Sequence, residues 1–129
     1  MIIAAIQSND ALDGLKEILS GLPQEVLLMK IWIDDIRPMP SGYDIHCQSV
    51  NDTIGVIEYI EMKQKEKIDL LDIDHDAGDF RGDGGDYIKI LDWLEEKNIS
   101  IPIRIHSGNI VGRQNMERII KHNGWTLIS

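Results

Sequence analysis

Cysteine is almost missing from this chain: Cys47 stands alone, so no disulfide framework holds the fold and a reducing compartment is the natural setting. Its position in a strand-like stretch reads as a packed thiol. Long apolar runs are missing too. None approaches the roughly 20 residues that span a bilayer, and Met1–Ile6 has neither a basic n-region nor a cleavage-site pattern. A cytoplasmic protein with no membrane partner is therefore expected. Positive charge is scarce, with 13 Lys and Arg against 22 Asp and Glu and a formal net charge of -9. That balance argues against an extended nucleic-acid surface, although an RNA end held locally stays compatible with it. Repeats, low-complexity tracts and linkers are also lacking. What remains is 129 residues, 43% of them hydrophobic, enough for one compact domain and too few for two ordinary ones.

The most informative stretch is Asp72-Ile73-Asp74-His75-Asp76, the end of an apolar run that begins at Ile68. An apolar run of strand length that stops in carboxylates and an imidazole reads as a buried strand delivering charge to the rim of a sheet. A second run, Val26–Ile33, stops at Asp34-Asp35, and a third, Ile101–Ile105, stops at His106-Ser107. In open α/β sheets ligands bind at the carboxyl ends of the strands, so chemistry is expected where these three runs end.

Taken in order, Ile2–Ile6 reads as a short strand, and Ser8-Asn9-Asp10 offers N-cap side chains to a helix carrying Leu12, Leu15, Ile18, Leu19 and Leu22. Gly21 and Pro23 end it. The stretch after Asp35 is too short and too rich in proline for a helix, so Tyr43–Gln48 cannot follow the Asp34 strand through a helical crossover, which leaves its place in the sheet open. Ser49 and Asp52 resemble a capping box that opens a helix to about Lys65, and Lys63–Lys67 reads as its solvated end. A glycine-rich loop, 77–85, carries Asp79 and Asp83. Tyr87–Lys97 is amphipathic, a turn at Gly108–Gly112 leads into a helix through about Lys121, and Trp125–Ile128 reads as a last strand. This alternation predicts an α/β fold with a mostly parallel sheet.

If their strands are neighbours, Asp34, Asp35, Asp74 and Asp76 meet, and clustered carboxylates either raise one another's pKa or are neutralised by a cation. All-oxygen ligation with open positions suits Mg²⁺ or Mn²⁺. The bland alternative is that these acids cap helices at a solvated rim. Asp72, furthest back in its strand, reads as structural. His75 and His106 lie at matching strand ends, where two imidazoles flanking one substrate can serve as acid and base; a lone histidine is more often structural. Ser107 and Asn109 add a hydroxyl and an amide. The helix that starts near Val111 offers a phosphate seat, with Arg113 in its first turn and Arg37 on the opposing loop. Ser107 lacks an assignable base and so is not read as a nucleophile. His46 and His122 read as residues without partners.

Three segments carry a resemblance: Lys30-Ile-Trp-Ile-Asp-Asp-Ile-Arg-Pro38 with Pro40 and Gly42, then Leu71-Asp-Ile-Asp-His-Asp76 with Gly78, then His106-Ser-Gly-Asn-Ile-Val-Gly-Arg-Gln-Asn-Met116. In this order, over about Met29–Ile128, the chain resembles the cyclic-phosphate processing receiver-like domain family. The resemblance implies a receiver (flavodoxin)-like, three-layer α/β sandwich with five or six strands. It also implies action on cyclic phosphates in nucleotide or RNA-end processing. Carried over, the family's polar positions fall on Asp34, Asp35, Arg37, Asp74, His75, Asp76, His106, Ser107, Asn109 and Arg113. The chain departs from the family in having Ala77 after Asp-His-Asp. Residues 1–28 read as a strand-helix extension outside the likeness. No lysine ends the last strand, which disfavours the aspartyl-phosphate signalling of true receivers.

The expected function is thus a metal-assisted phosphoesterase opening a cyclic phosphate. Mg²⁺ or Mn²⁺ would sit on Asp34, Asp35, Asp74 and Asp76, with His75, His106 and Asp76 in catalysis and Arg37, Ser107, Asn109 and Arg113 on the substrate. A non-catalytic module that binds a nucleotide or a protein partner is the alternative, and a homo-oligomer is compatible with either.

Overall fold

The computed structural model describes residues 6–7, 11–20, 27–63 and 66–129. The expected Ile2–Ile6 strand lies outside these residues except for Ile6, as do the caps Ser8–Asp10 and the stop at Gly21 and Pro23. In chain order the elements are β1 (Ile6–Gln7), α1 (Ala11–Ser20), β2 (Leu27–Ile33), β3 (Ile45–Cys47), α2 (Val50–Lys63), β4 (Glu66–Ile73), a 3₁₀ turn (Gly78–Phe80), α3 (Ile88–Lys97), β5 (Ile103–Ile105) and α4 (Ile110–His122). Four strands, β2 to β5, form the body of the sheet, and the two-residue β1 adds to its edge in the order β1-β3-β2-β4-β5. All pairings are parallel. The predicted last strand is reduced to a single bridge between Ile103 and Leu127.

β1→β2, β3→β4 and β4→β5 all step the same way across the sheet, so right-handed crossovers put their helices on one face. Packing agrees: a single hydrophobic cluster joins Ile31, Ile33, Ile45, Leu71, Ile73, Ile103 and Ile105 to Ala11 of α1, Ile57 of α2, Leu91 of α3 and Met116 of α4. The step from β2 to β3 goes the other way, and it is made without a helix. Residues 34–44 return across the second face. There the Trp32 indole donates to the carbonyl of Arg37 (3.1 Å) and meets the Tyr43 ring edge-on at 5.4 Å. Among the described residues the third layer of the expected sandwich is therefore this strap over β2, not a set of helices. It also resolves the place of 43–48: β3 lies beside β2, with Ile45 opposite Ile31.

One irregularity decides which side chains share a face. Met29 pairs with Ile68 but Lys30 pairs with Leu70, so Asp69 is an extra residue and the alternation of β4 shifts by one. Ile68 faces the helices, and beyond the bulge Leu71 and Ile73 do so, while Leu70 and Asp72 turn to the face of Trp32. Local signals account for the helix ends. Ser49 Oγ accepts from the Asp52 N–H (3.1 Å), as the capping pattern predicts, while the Asp52 carboxylate caps α1 by accepting from the N–H groups of Ala11 (3.2 Å) and Leu12 (3.3 Å). Asn98 ends α3 at φ 58. Cys47 is fully buried, and burial pushes its thiol up, as a packed thiol requires. No helix among the described residues is long and apolar enough to cross a membrane.

Candidate active site

Three strands of the body end together, and their backbone ladder runs on by one residue. The N–H of Asp34 donates to Cys47 O (3.2 Å), that of Asp74 to Ile33 O (3.0 Å) and that of His106 to Ile73 O (3.0 Å). Asp34, Asp74 and His106 thus stand in adjacent rows on the face away from the helices. Asp34 is fully buried and Asp74 is 9% exposed, and one ligand atom from each of the three lies within 4.8 Å of the others.

His106 is held on every side. Its Nε2 lies 2.8 Å from Asp34 Oδ2 and its Nδ1 2.7 Å from Asp72 Oδ1. Its ring stacks on Trp32 with centroids 3.8 Å apart and planes 5° from parallel. Arg37 donates to its carbonyl oxygen (2.7 Å). Asp72 is in turn bonded by the Tyr43 hydroxyl, and Arg104 Nη1 sits 3.6 Å from it. Burial by itself would raise the Asp72 carboxyl, but hydrogen bonds from His106 and Tyr43 and the nearby charges outweigh it and hold it below the ordinary range. Asp34 behaves alike: burial raises it, and the N–H groups of Arg37 (2.8 Å) and Ile36 (3.0 Å) with His106 lower it further. Asp35 goes the other way, raised by burial and by the charges of Asp34 and Asp74.

The second imidazole lies on the helix side of the rim. His75 Nδ1 is 2.8 Å from Asp76 Oδ1, and no hydrogen bond engages its Nε2 among the described residues. The ring lies over the first turn of α4, where a Cβ on Gly112 would overlap it. Asn109 ties the two parts together: its Oδ1 accepts from Gly112 N (2.9 Å) as the helix cap, and its Nδ2 donates to both Asp76 oxygens (3.3 Å each). The His75 hydrogen bond, offset slightly by burial and helped by Asn109, keeps the Asp76 carboxyl low. Gly78, at φ 55, gives the matching close approach at Asp35, whose carboxylate a Cβ would overlap.

Of the predicted metal ligands, Asp34 and Asp74 meet with His106 in one set; Asp35 sits beside them against Gly78, and Asp76 is turned to His75 and Asn109. The predicted substrate residues all lie at the rim and are partly engaged. Ser107 Oγ accepts from Asn109 N (3.1 Å), and Arg113 donates to Ile105 O (3.1 Å) and pairs with Glu117 (3.1 Å). His46 corrects the expectation of a partnerless residue, for it is buried and its Nε2 lies 2.9 Å from Asp34 O. Trp32, Tyr43 and Arg104 were not foreseen as part of the site. Only Asp72 left a signal, a carboxylate inside a run of buried-strand residues.

The profile of the cyclic-phosphate processing receiver domain matches residues 29–122. The chain belongs to that family, and its fold is the receiver-like α/β arrangement with an all-parallel sheet. No curated protein and no solved structure matches it.

Proposed function

We propose that this chain is a metal-assisted phosphoesterase that opens a cyclic phosphate, either a cyclic nucleotide or the 2′,3′-cyclic phosphate end of an RNA. The observation that carries the reading is the meeting of Asp34, Asp74 and His106 within 4.8 Å, at a rim whose helix side carries the second imidazole, His75, oriented by Asp76 (2.8 Å). The donor set fits a single divalent ion. Asp74 accepts one hydrogen bond, from His75 N to Oδ1 (2.7 Å), and its other oxygen has no partner among the described residues although the side chain is buried. Such an ion polarises a phosphoryl oxygen and lowers the pKa of water.

The chain's own groups supply the rest. With Nδ1–H donated to Asp76, His75 presents Nε2 as the group that exchanges a proton with the reacting oxygens. Both ring nitrogens of His106 face buried carboxylates, so its part is to hold charge or an ion in place. Arg37 and the positive end of α4 face the phosphate. Ile36 (81% exposed), next to Arg37, and Ile110 and Val111, next to Asn109, are bare apolar side chains, of the kind on which the ring of a nucleoside can rest.

The test is turnover. Purified protein supplied in turn with Mg²⁺, Mn²⁺, Co²⁺ and Zn²⁺ should convert 2′,3′-cyclic nucleotides to monophosphates with at least one of them, and EDTA or His75→Ala should abolish the reaction. Tight binding of an unchanged cyclic nucleotide would replace this reading with the non-catalytic module.

A further inference from the structure

We propose that the ion of this centre is a nitrogen-accepting transition metal of the zinc, cobalt or nickel type, bound by His106 Nε2 together with Asp34 and Asp74, with Asp72 as the residue that orients the imidazole. The inference deepens the metal-assisted reading above and shares its ion.

The distances carry it. Ligands about 2.1 Å from one ion stand about 3.0 Å apart on neighbouring octahedral positions and about 3.4 Å apart on tetrahedral ones; His106 Nε2 and Asp34 Oδ2 are 2.8 Å apart, so a few tenths of an ångström of opening seats an ion between them. A metal-bound histidine almost always donates its other N–H to a carboxylate, which fixes tautomer and ring plane. His106 Nδ1 is 2.7 Å from Asp72 Oδ1, Asp72 is itself held by Tyr43 and Arg104, and Trp32 stacks on the ring at 3.8 Å. That tautomer leaves the Nε2 lone pair aimed at the group formed with Asp34 and Asp74. The independent sign of a missing ligand is Asp74, 9% exposed, with one carboxylate oxygen unpartnered among the described residues. Magnesium favours oxygen donors throughout, whereas imidazole suits zinc, nickel and their neighbours. The metal-free rival is a structural role, in which a doubly protonated His106 bridges Asp34 and Asp72.

Cobalt(II) is the probe. Added to the metal-stripped full chain, one Co²⁺ per chain should bind with visible d–d absorption and quench the fluorescence of Trp32. Equimolar Zn²⁺ should displace it, and Mg²⁺ should do so only at about hundredfold excess or more. Asp72→Asn should weaken Co²⁺ binding about 10–100-fold, and His106→Ala by at least as much, with a changed spectrum. In the wild-type protein, a paramagnetically shifted, exchangeable imidazole N–H resonance should appear on Co²⁺ loading, a readout that does not require any variant to fold. Displacement of Co²⁺ by comparable Mg²⁺, absence of the shifted N–H, or unchanged Co²⁺ binding in folded His106→Ala would each overturn the proposal in favour of the structural bridge. None of these readouts involves turnover. An inert protein with the cobalt signature loses the phosphoesterase reading alone, and an active one without that signature loses this inference alone.

Discussion

Gly112→Ala is the sharpest probe of how His75 is held. Gly112 is the third residue of α4, it is buried, and its N–H is capped by Asn109 at 2.9 Å. At an ordinary helical site the exchange stabilises by about 0.8–1.0 kcal/mol. Here the new methyl would overlap Cγ, Cδ2 and Nδ1 of His75 more closely than real Cβ atoms approach anything. Those are the ring atoms nearest the backbone, and the ring cannot swing aside without losing Asp76 at 2.8 Å. Overpacking of this kind costs about 1–3 kcal/mol, so the variant should be less stable than wild type by about 1 kcal/mol after the helical gain is subtracted. Urea denaturation reads the change. The decisive control is the same substitution in a His75→Ala background, where the obstacle is gone and Gly112→Ala should stabilise by about 1 kcal/mol. The resulting cycle should give a coupling of about 1–3 kcal/mol between two residues far apart in sequence. If the chain turns over cyclic phosphates as proposed, that turnover should fall in Gly112→Ala even at temperatures where it is fully folded, since the imidazole is displaced. A stabilised Gly112→Ala with no coupling to His75 would refute the placement of that ring over the helix.

Asp72→Asn should destabilise by about 1–3 kcal/mol, because it removes a buried carboxylate oxygen pair that engages His106 Nδ1 (2.7 Å) and the Tyr43 hydroxyl; a change below about 1 kcal/mol in urea denaturation would mean that the network adds little. The lowered carboxyls of Asp34 and Asp72 make stability depend on pH in one direction. Their contribution is fully present above the unfolded carboxylate value of about 3.9 and is lost as pH falls through the lower folded values. Denaturation midpoints should therefore fall in that acid window and stay level, as far as these two groups are concerned, from pH 5 to 7; Asp72→Asn should flatten the acid slope. Asn109→Ala should lower turnover more than substrate affinity, because the amide is spent on the cap and on Asp76. A rise in KM alone would instead assign Asn109 to the substrate.

Much of the site was legible from where apolar runs stop. Asp34, Asp74 and His106 each follow the last isoleucine of a buried strand, and such a strand can end in charge only at a rim. The parallel α/β class followed equally from the alternation of runs and amphipathic stretches. Three matters were not legible. The strap 34–44 has no periodicity, so nothing in its residues announces that it returns over Trp32 and seats β3 beside β2. His46 acquires its partner, the Asp34 carbonyl, only through that pairing. Asn109 reads as a rim amide available to a ligand, and its commitment to Gly112 and Asp76 depends on how α4 meets the end of β4.

The sequence by itself determined which residues reach the rim, since hydrophobic burial dictates where strands run and where charge must begin. Tertiary structure decided the side to which each one turns. A single extra residue at Asp69 shifts the alternation of β4, sending Asp72 to His106 and Trp32, and His75 falls on the opposite side, against α4. Side chains alternate strictly along a strand, so one inserted residue reverses every assignment beyond it, and that insertion is visible only once the neighbouring strand supplies the register.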